Sequence, residues 1–178
     1  PEAVTEHLAK MLVKGRQRTV SLAPDGSSPR MRRVINKQID DDEIVEAAKI
    51  LLKSGVKRLK MYYMIDLPGE TTEDIEHIAE LSKRIVDLGY GSRAIHLSIN
   101  PFVPKPQTPF QWEKAPSVSY VRSSLSLLRR LLKRDNHFLV SGLDPRHARI
   151  QAFLSLGDRK IGSVIETAAR YGGGLGAW

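Results

Sequence analysis

A chain of 178 residues with 41% hydrophobic content can bury one core and is too apolar for wholesale disorder. It has no cysteine, which excludes disulfides and any zinc or iron–sulfur centre ligated by this chain's own thiolates. No apolar run approaches the ~18 residues of a membrane span and no secretory signal is legible, so the expected location is the cytoplasm, while a net charge of +8, from 28 Lys+Arg against 20 Asp+Glu, permits an anionic partner.

Apolar residues at Val4, Leu8, Met11 and Leu12 space a helix over 2–13, ended by Gly15. Residues 18–24 read as a strand that breaks into the turn cluster Asp25-Gly26-Ser27-Ser28-Pro29. Asp40, with Glu43 three residues on, caps a helix striped by Ile44, Ala47, Ala48, Leu51 and Leu52 and closed by Gly55. A second strand begins at Leu59 and runs into the turn Leu67-Pro68-Gly69-Glu70, where proline cannot continue a ladder and glycine permits reversal. Thr71 and Asp74 make a capping box for a helix over 72–88, with Ile75, Ile78, Ala79, Ile85 and Val86 on one side. A third strand covers 94–100, and the prolines at 101, 104 and 106 forbid a helix directly after it. A helix over 117–134, a short strand over 138–141 and two helices over 145–156 and 159–171 complete the chain. Strand–helix alternation of this kind implies a parallel sheet with right-handed crossovers. Residues 1–135 read as the α/β unit and 136–178 as an appended strand and helical tail.

The strands alternate rather than running continuously apolar. Leu59, Met61, Tyr63 and Ile65 interleave with Lys60, Tyr62, Met64 and Asp66; Ile95, Leu97 and Ile99 interleave with His96, Ser98 and Asn100. Period two sends each set to one face. The apolar face meets the helices, and the polar face lines a lumen or lies open to solvent. Parallel strands also bring their carboxyl ends to one rim, which gathers Asp25, the 66–70 turn and Asn100 where ligands bind in such sheets. The five histidines show no metal-ligand spacing, and no metal site is expected. Basic residues cluster at 14–18, 30–33, 53–60, 129–134 and 146–149. They read as solvated helix ends or as a surface for RNA or an acidic partner; no aromatic residues interleave with them as a single-strand platform requires.

The segment Ala23-Pro24-Asp25-Gly26-Ser27-Ser28-Pro29-Arg30-Met31-Arg32, followed by Ile35-Asn36-Lys37, resembles the fourth-strand segment of radical SAM enzymes, and 62–70 resembles their fifth-strand segment. Residues 98–112 (SINPFVPKPQTPFQW) and 156–160 are similar to stretches of a subgroup of these Fe–S oxidoreductases, the one with a cobalamin-binding-like region ahead of the core. Asp25 stands in place of the family's usual glutamate, Asp66 in place of a glycine and Leu156 in place of an arginine.

The resemblance implies the second half of a partial (β/α)6 barrel with a C-terminal helical tail, contributing to an S-adenosylmethionine site. Asp25, Ser27 and Ser28 would meet the ribose or amino-acid end, and Arg30 or Arg32 the carboxylate. Leu67, Pro68 and Glu70, with Asn100 and Phe102, would flank the adenine. Lys60, Tyr62, Asp66, His96 and Ser98 would line the substrate lumen. The family's [4Fe-4S] cluster sits on a three-cysteine motif that this chain lacks, so the cluster is expected in the parent protein only and the piece alone is expected to be inactive. Its expected partners are the first half of the same polypeptide and, through open sheet edges, further copies of itself. The alternative is a non-enzymatic basic α/β module that binds RNA or an acidic partner.

Overall fold

The computed structural model describes residues 3–178. Helix α1 (Glu6–Lys14) starts where the Thr5 hydroxyl accepts the Leu8 N–H; the expected start at Glu2 lies outside the described residues. There follow β1 (Thr19–Gly26), α2 (Pro29–Val34), α3 (Asp41–Lys53), β2 (Arg58–Ile65), α4 (Thr72–Val86), β3 (Ile95–Pro101), α5 (Val118–Leu132), β4 (Phe138–Gly142), α6 (Pro145–Leu156), α7 (Ile161–Arg170) and a 3₁₀ turn (Leu175–Ala177). The expected order recurs with two additions, α2 and the closing 3₁₀ turn. Where a turn cluster was expected to extend through Pro29, β1 continues to Gly26 and α2 begins at once. Ser28 caps it and Pro29 occupies its first turn, a favourable start because proline lacks an N–H that would be unpaired there anyway.

The capping boxes read from the sequence are formed. Asp40 and Glu43 exchange side-chain and backbone hydrogen bonds at 2.8 Å, and Asp74 accepts the Thr71 N–H at 2.8 Å.

The four strands lie in the order β1-β2-β3-β4, every neighbouring pair parallel. Sequential order with right-handed crossovers carries the crossover helices over one face, whereas a doubly wound sheet reverses direction and covers both. On that face Leu59, Met61, Tyr63 and Ile65 join Ile95, Leu97 and Ile99, packed against Ile44 and Leu51 of α3, Ile75, Ile78 and Ile85 of α4, and Val121 and Leu128 of α5. Burying each such Leu or Ile contributes about 1.5–3 kcal/mol. The other face carries Lys60, Tyr62 and Met64 beside His96, Ser98 and Asn100, half-exposed except for buried Ser98. The sheet is not closed. This is an α/β partial barrel, with β1 and β4 as its edges. Among the described residues no helix is long and apolar enough to cross a membrane.

Candidate functional site

The carboxyl ends of the strands meet in a network built on two carboxylates. At the end of β1, Asp25 takes a left-handed backbone (φ 63°) beside a bulge, and the chain turns through Gly26, where a Cβ would come within 2.5 Å of the Arg32 backbone nitrogen. Only glycine fits that approach. The turn delivers Ser27 and Ser28 into the interior. At the end of β2, Asp66 and Gly69 also take positive φ (66° and 77°), and the chain folds back through Leu67 and Pro68 to Glu70.

Glu70 is the junction. It accepts hydrogen bonds from the Ser27 hydroxyl, from the Asp66 N–H at 2.5 Å and from the Tyr120 hydroxyl of α5 at 3.2 Å. Burial pushes its carboxyl up to about 7, against the pull of those donors. Asp74, at the start of α4, accepts from Ser28 at 2.6 Å and pairs with Arg30, whose guanidinium also reaches the Gly69 carbonyl at 2.9 Å. Burial pushes the Asp74 carboxyl up, but the bonds from Ser28, the Thr71 N–H and Arg30 outweigh it and hold it low. Asp66 accepts the Ser117 N–H at the cap of α5 at 2.6 Å. Phe102, just past β3, donates its N–H to the Ile65 carbonyl at 2.8 Å and sets its ring edge-on to Phe110, 5.7 Å away. The ends of β1, β2 and β3 are thereby tied to one another and to the start of α5.

A cleft of about 510 Å³ opens here, lined by Asp66, Leu67, Pro68, Gly69, Glu70 and Phe102 on one side and by residues 113–115, Ser117 and Tyr120 on the other. It unites Leu67, Pro68, Glu70 and Phe102 from the expected cofactor set. Ser27 and Ser28 sit directly behind it, buried on Glu70 and Asp74, and Arg30 is half-exposed beside Gly69. Two expected contacts are engaged elsewhere. Asp25 pairs with Lys37, which also donates to the Ala23 carbonyl. Arg32 is fully buried, bonded to the Ile39 carbonyl at 2.9 Å and paired with Asp41, so of the two arginines only Arg30 remains at the rim. Asn100 lies at the end of the open face, 3.5 Å from the Ser98 hydroxyl.

Along that face, Lys60 stands 4.7 Å over the Tyr62 ring and His96 contacts Ser141 of β4 at 2.7 Å. Burial and the nearby Lys60 charge hold the imidazole below its usual range. Lys60, Tyr62, His96 and Ser98 share this face as expected from their alternation, whereas Asp66 belongs to the rim. Sequence reasoning missed Tyr120 and Ser117; their place in the first turn after a βα connection is the signal that puts them at the carboxyl end. Among the described residues no group of three or more His, Asp or Glu side chains is placed to hold a metal ion.

Residues 1–82 match the model of the radical SAM superfamily. Over those residues, 82 of its 178, the chain is similar to that superfamily. The match ends within α4, so it includes both rim carboxylates and the turns they join, while β3 and α5, which supply Phe102 and Tyr120, lie beyond it. The chain is 32% identical over 149 residues to an uncharacterised protein of Methanocaldococcus jannaschii, covering 84% of the chain and 32% of that protein. It is 30% identical over 90 residues to an uncharacterised methyltransferase of Pyrococcus horikoshii, covering 51% of the chain and 19% of that protein. It therefore spans about a third of the first relative's length and a fifth of the second's.

Proposed function

We propose that this chain is the second half of a radical SAM core and supplies the adenosyl side of an S-adenosylmethionine pocket, with the polar face of its sheet lining the substrate lumen. The observation that carries this reading is the cleft over the Asp66–Glu70 turn, held open by Glu70 and Asp74. Its volume suits a nucleoside-sized ligand. Its lining combines the Phe102 ring and Leu67 with turn backbone, and the Asp66 carboxylate accepts a single hydrogen bond, leaving acceptor capacity for ribose hydroxyls. Arg30 supplies a cation beside the same turn. In this family the cofactor, with its iron–sulfur cluster, supplies a radical that abstracts hydrogen from substrate. This chain's residues would bind and orient the adenosyl group, and with no cysteine they hold no cluster ligand. The reading makes the parent a cytoplasmic enzyme of the cobalamin-associated subgroup.

The test is a titration of S-adenosylmethionine into the chain, followed by backbone amide shifts. Perturbations are expected at 66–70, 102 and 114–120, with a dissociation constant no tighter than about 1 mM, or ~4 kcal/mol, because the rest of the pocket lies in the other half of the core. A low-micromolar constant contradicts the half-pocket reading, and shifts confined to the opposite end of the sheet contradict the site.

The open edges carry a second expectation. β1 and β4 present unpaired backbone groups to any strand that approaches. Light scattering on the chain should show a mass that rises with concentration; a constant monomer mass at high concentration removes the edge-pairing proposal.

A further inference from the structure

The basic cluster at 30–33 is largely committed, since Arg30 pairs with Asp74 and Arg32 is buried on Asp41. A group of unpaired cations lines clefts at the opposite end of the sheet. Arg16, Gln17 and Arg18 from the α1–β1 loop, Lys57 from the α3–β2 loop and Arg58 at the start of β2 line a cleft of about 650 Å³ together with Val13 and Gly55. Arg58 also lines an adjoining cleft of about 460 Å³ with Thr19, Ser92, Arg93 and His96. Arg16, Arg18, Lys57, Arg58 and Arg93 are all exposed, and none forms an ion pair among the described residues.

Helix dipoles account for part of the charge at this end, because Lys14, Lys53, Lys83 and Arg129 occupy last helical turns. They do not account for the loop cations. Arg16 and Arg93 even stand at positive φ (62° and 53°), where glycine or asparagine is the cheaper residue, so the turn geometry does not call for arginine. Of the acidic groups at this end, Asp135 is turned onto His137 and Asp87 caps the end of α4.

We propose that these two joined clefts form a track for a nucleic-acid phosphate backbone. Sharing Arg58, they extend further than a single phosphate needs, and five cations along them match a repeating anion. No Phe, Tyr or Trp lines either cleft, so there is no row of large aromatic rings for bases and the contacts are to phosphates, independent of sequence. This lies at the far end from the rim cleft and stands whether or not that cleft takes S-adenosylmethionine.

The test is fluorescence anisotropy with a labelled 20-base-pair RNA duplex, a DNA duplex of the same length, a poly-glutamate peptide and anionic phosphatidylserine vesicles. Both duplexes should bind with a slope of log K against log salt of about −4, losing a few hundred-fold in affinity between 50 and 200 mM salt. Replacing Arg16, Arg18, Lys57 and Arg58 together by glutamine should flatten the slope to about −1 and weaken binding at 50 mM salt by at least ~100-fold. Replacing the same four positions by lysine (Lys57 unchanged) should retain it. The charge-matched control Arg122→Gln/Arg149→Gln/Arg159→Gln/Lys160→Gln, all exposed and away from the track, should bind as the parent does. The proposal is overturned by no binding at 50 mM salt, by equal loss in the control, or by tighter binding of the peptide or vesicles than of the duplexes.

Discussion

Asp41→Ala is expected to destabilise the chain by about 3–5 kcal/mol, the cost of leaving a buried charge without its partner. The charge is Arg32, whose side chain is 0% exposed and whose ion-pair partner is Asp41. Without Asp41 it keeps only the Ile39 carbonyl at 2.9 Å, and its Nη1 is already buried without a partner. Asp41 also sits 2.8 Å from His77 and 3.7 Å from Arg84, so it joins α2, α3 and α4 at one point. Arg32→Met should cost less, because Asp41 retains His77 and Arg84, and the double variant Arg32→Met/Asp41→Ala should recover part of the loss. Thermal melts read this as a fall of roughly 10 °C for Asp41→Ala at this chain length. A fall no larger than that of Arg32→Met would refute the stranded-charge account. The effect has a sign in pH. Burial pushes the Asp41 carboxyl up, but His77 and Arg32 outweigh it and hold it below the usual carboxylate range. Its contribution is therefore present above the unfolded value and lost as pH falls through the folded one, so the variant should show a shallower acid limb.

Glu70→Gln should act in the opposite direction. Burial raises the Glu70 carboxyl from 4.5 to about 7, so the fold favours its protonated form. That preference is fully present below pH 4.5 and is lost as pH rises to about 7, a swing on the order of 2–3 kcal/mol. Glutamine cannot ionise, and its carbonyl can still accept the Asp66 N–H and the Tyr120 hydroxyl while its amide meets the Ser27 hydroxyl, which can reverse roles. Urea unfolding from pH 4 to 8 should show the stability of Glu70→Gln rising relative to the parent across that window. His77, whose bond to Asp41 raises its imidazole, also loses its contribution toward higher pH, but it does so in both proteins and cancels in the difference. A constant difference would mean that folding leaves the Glu70 carboxyl at its unfolded value.

The fold was legible wherever local rules set it. The alternation Leu59, Met61, Tyr63, Ile65 marks the packed face because a strand has no other way to dispose of its side chains. Asp40–Glu43 and Thr71–Asp74 mark helix starts because the orphan N–H groups need acceptors three residues apart. α2 escaped because Pro29–Val34 is too short and too charged to show a stripe, although Ser28-Pro29 was the available signal. The rim was located correctly as a place and incompletely as a set of contacts. Arg32 looks like a surface cation until the fold buries it beside Asp41, and Asp66 finds its partner at Ser117, 51 residues downstream. Such pairings depend on which helix lands beside which strand, and no local pattern encodes that.

With helices antiparallel to strands, α4 and α5 point their starts toward one pole of the molecule and their ends toward the other, and the carboxylates Glu70, Asp66 and Asp74 cluster at the first while the loop arginines crowd the second. The two poles thus differ in chemistry, hydrogen-bonded carboxylates at one and unpaired loop cations at the other. Whatever grips the loop cations leaves the rim facing outward, so occupants of the two poles do not compete for room.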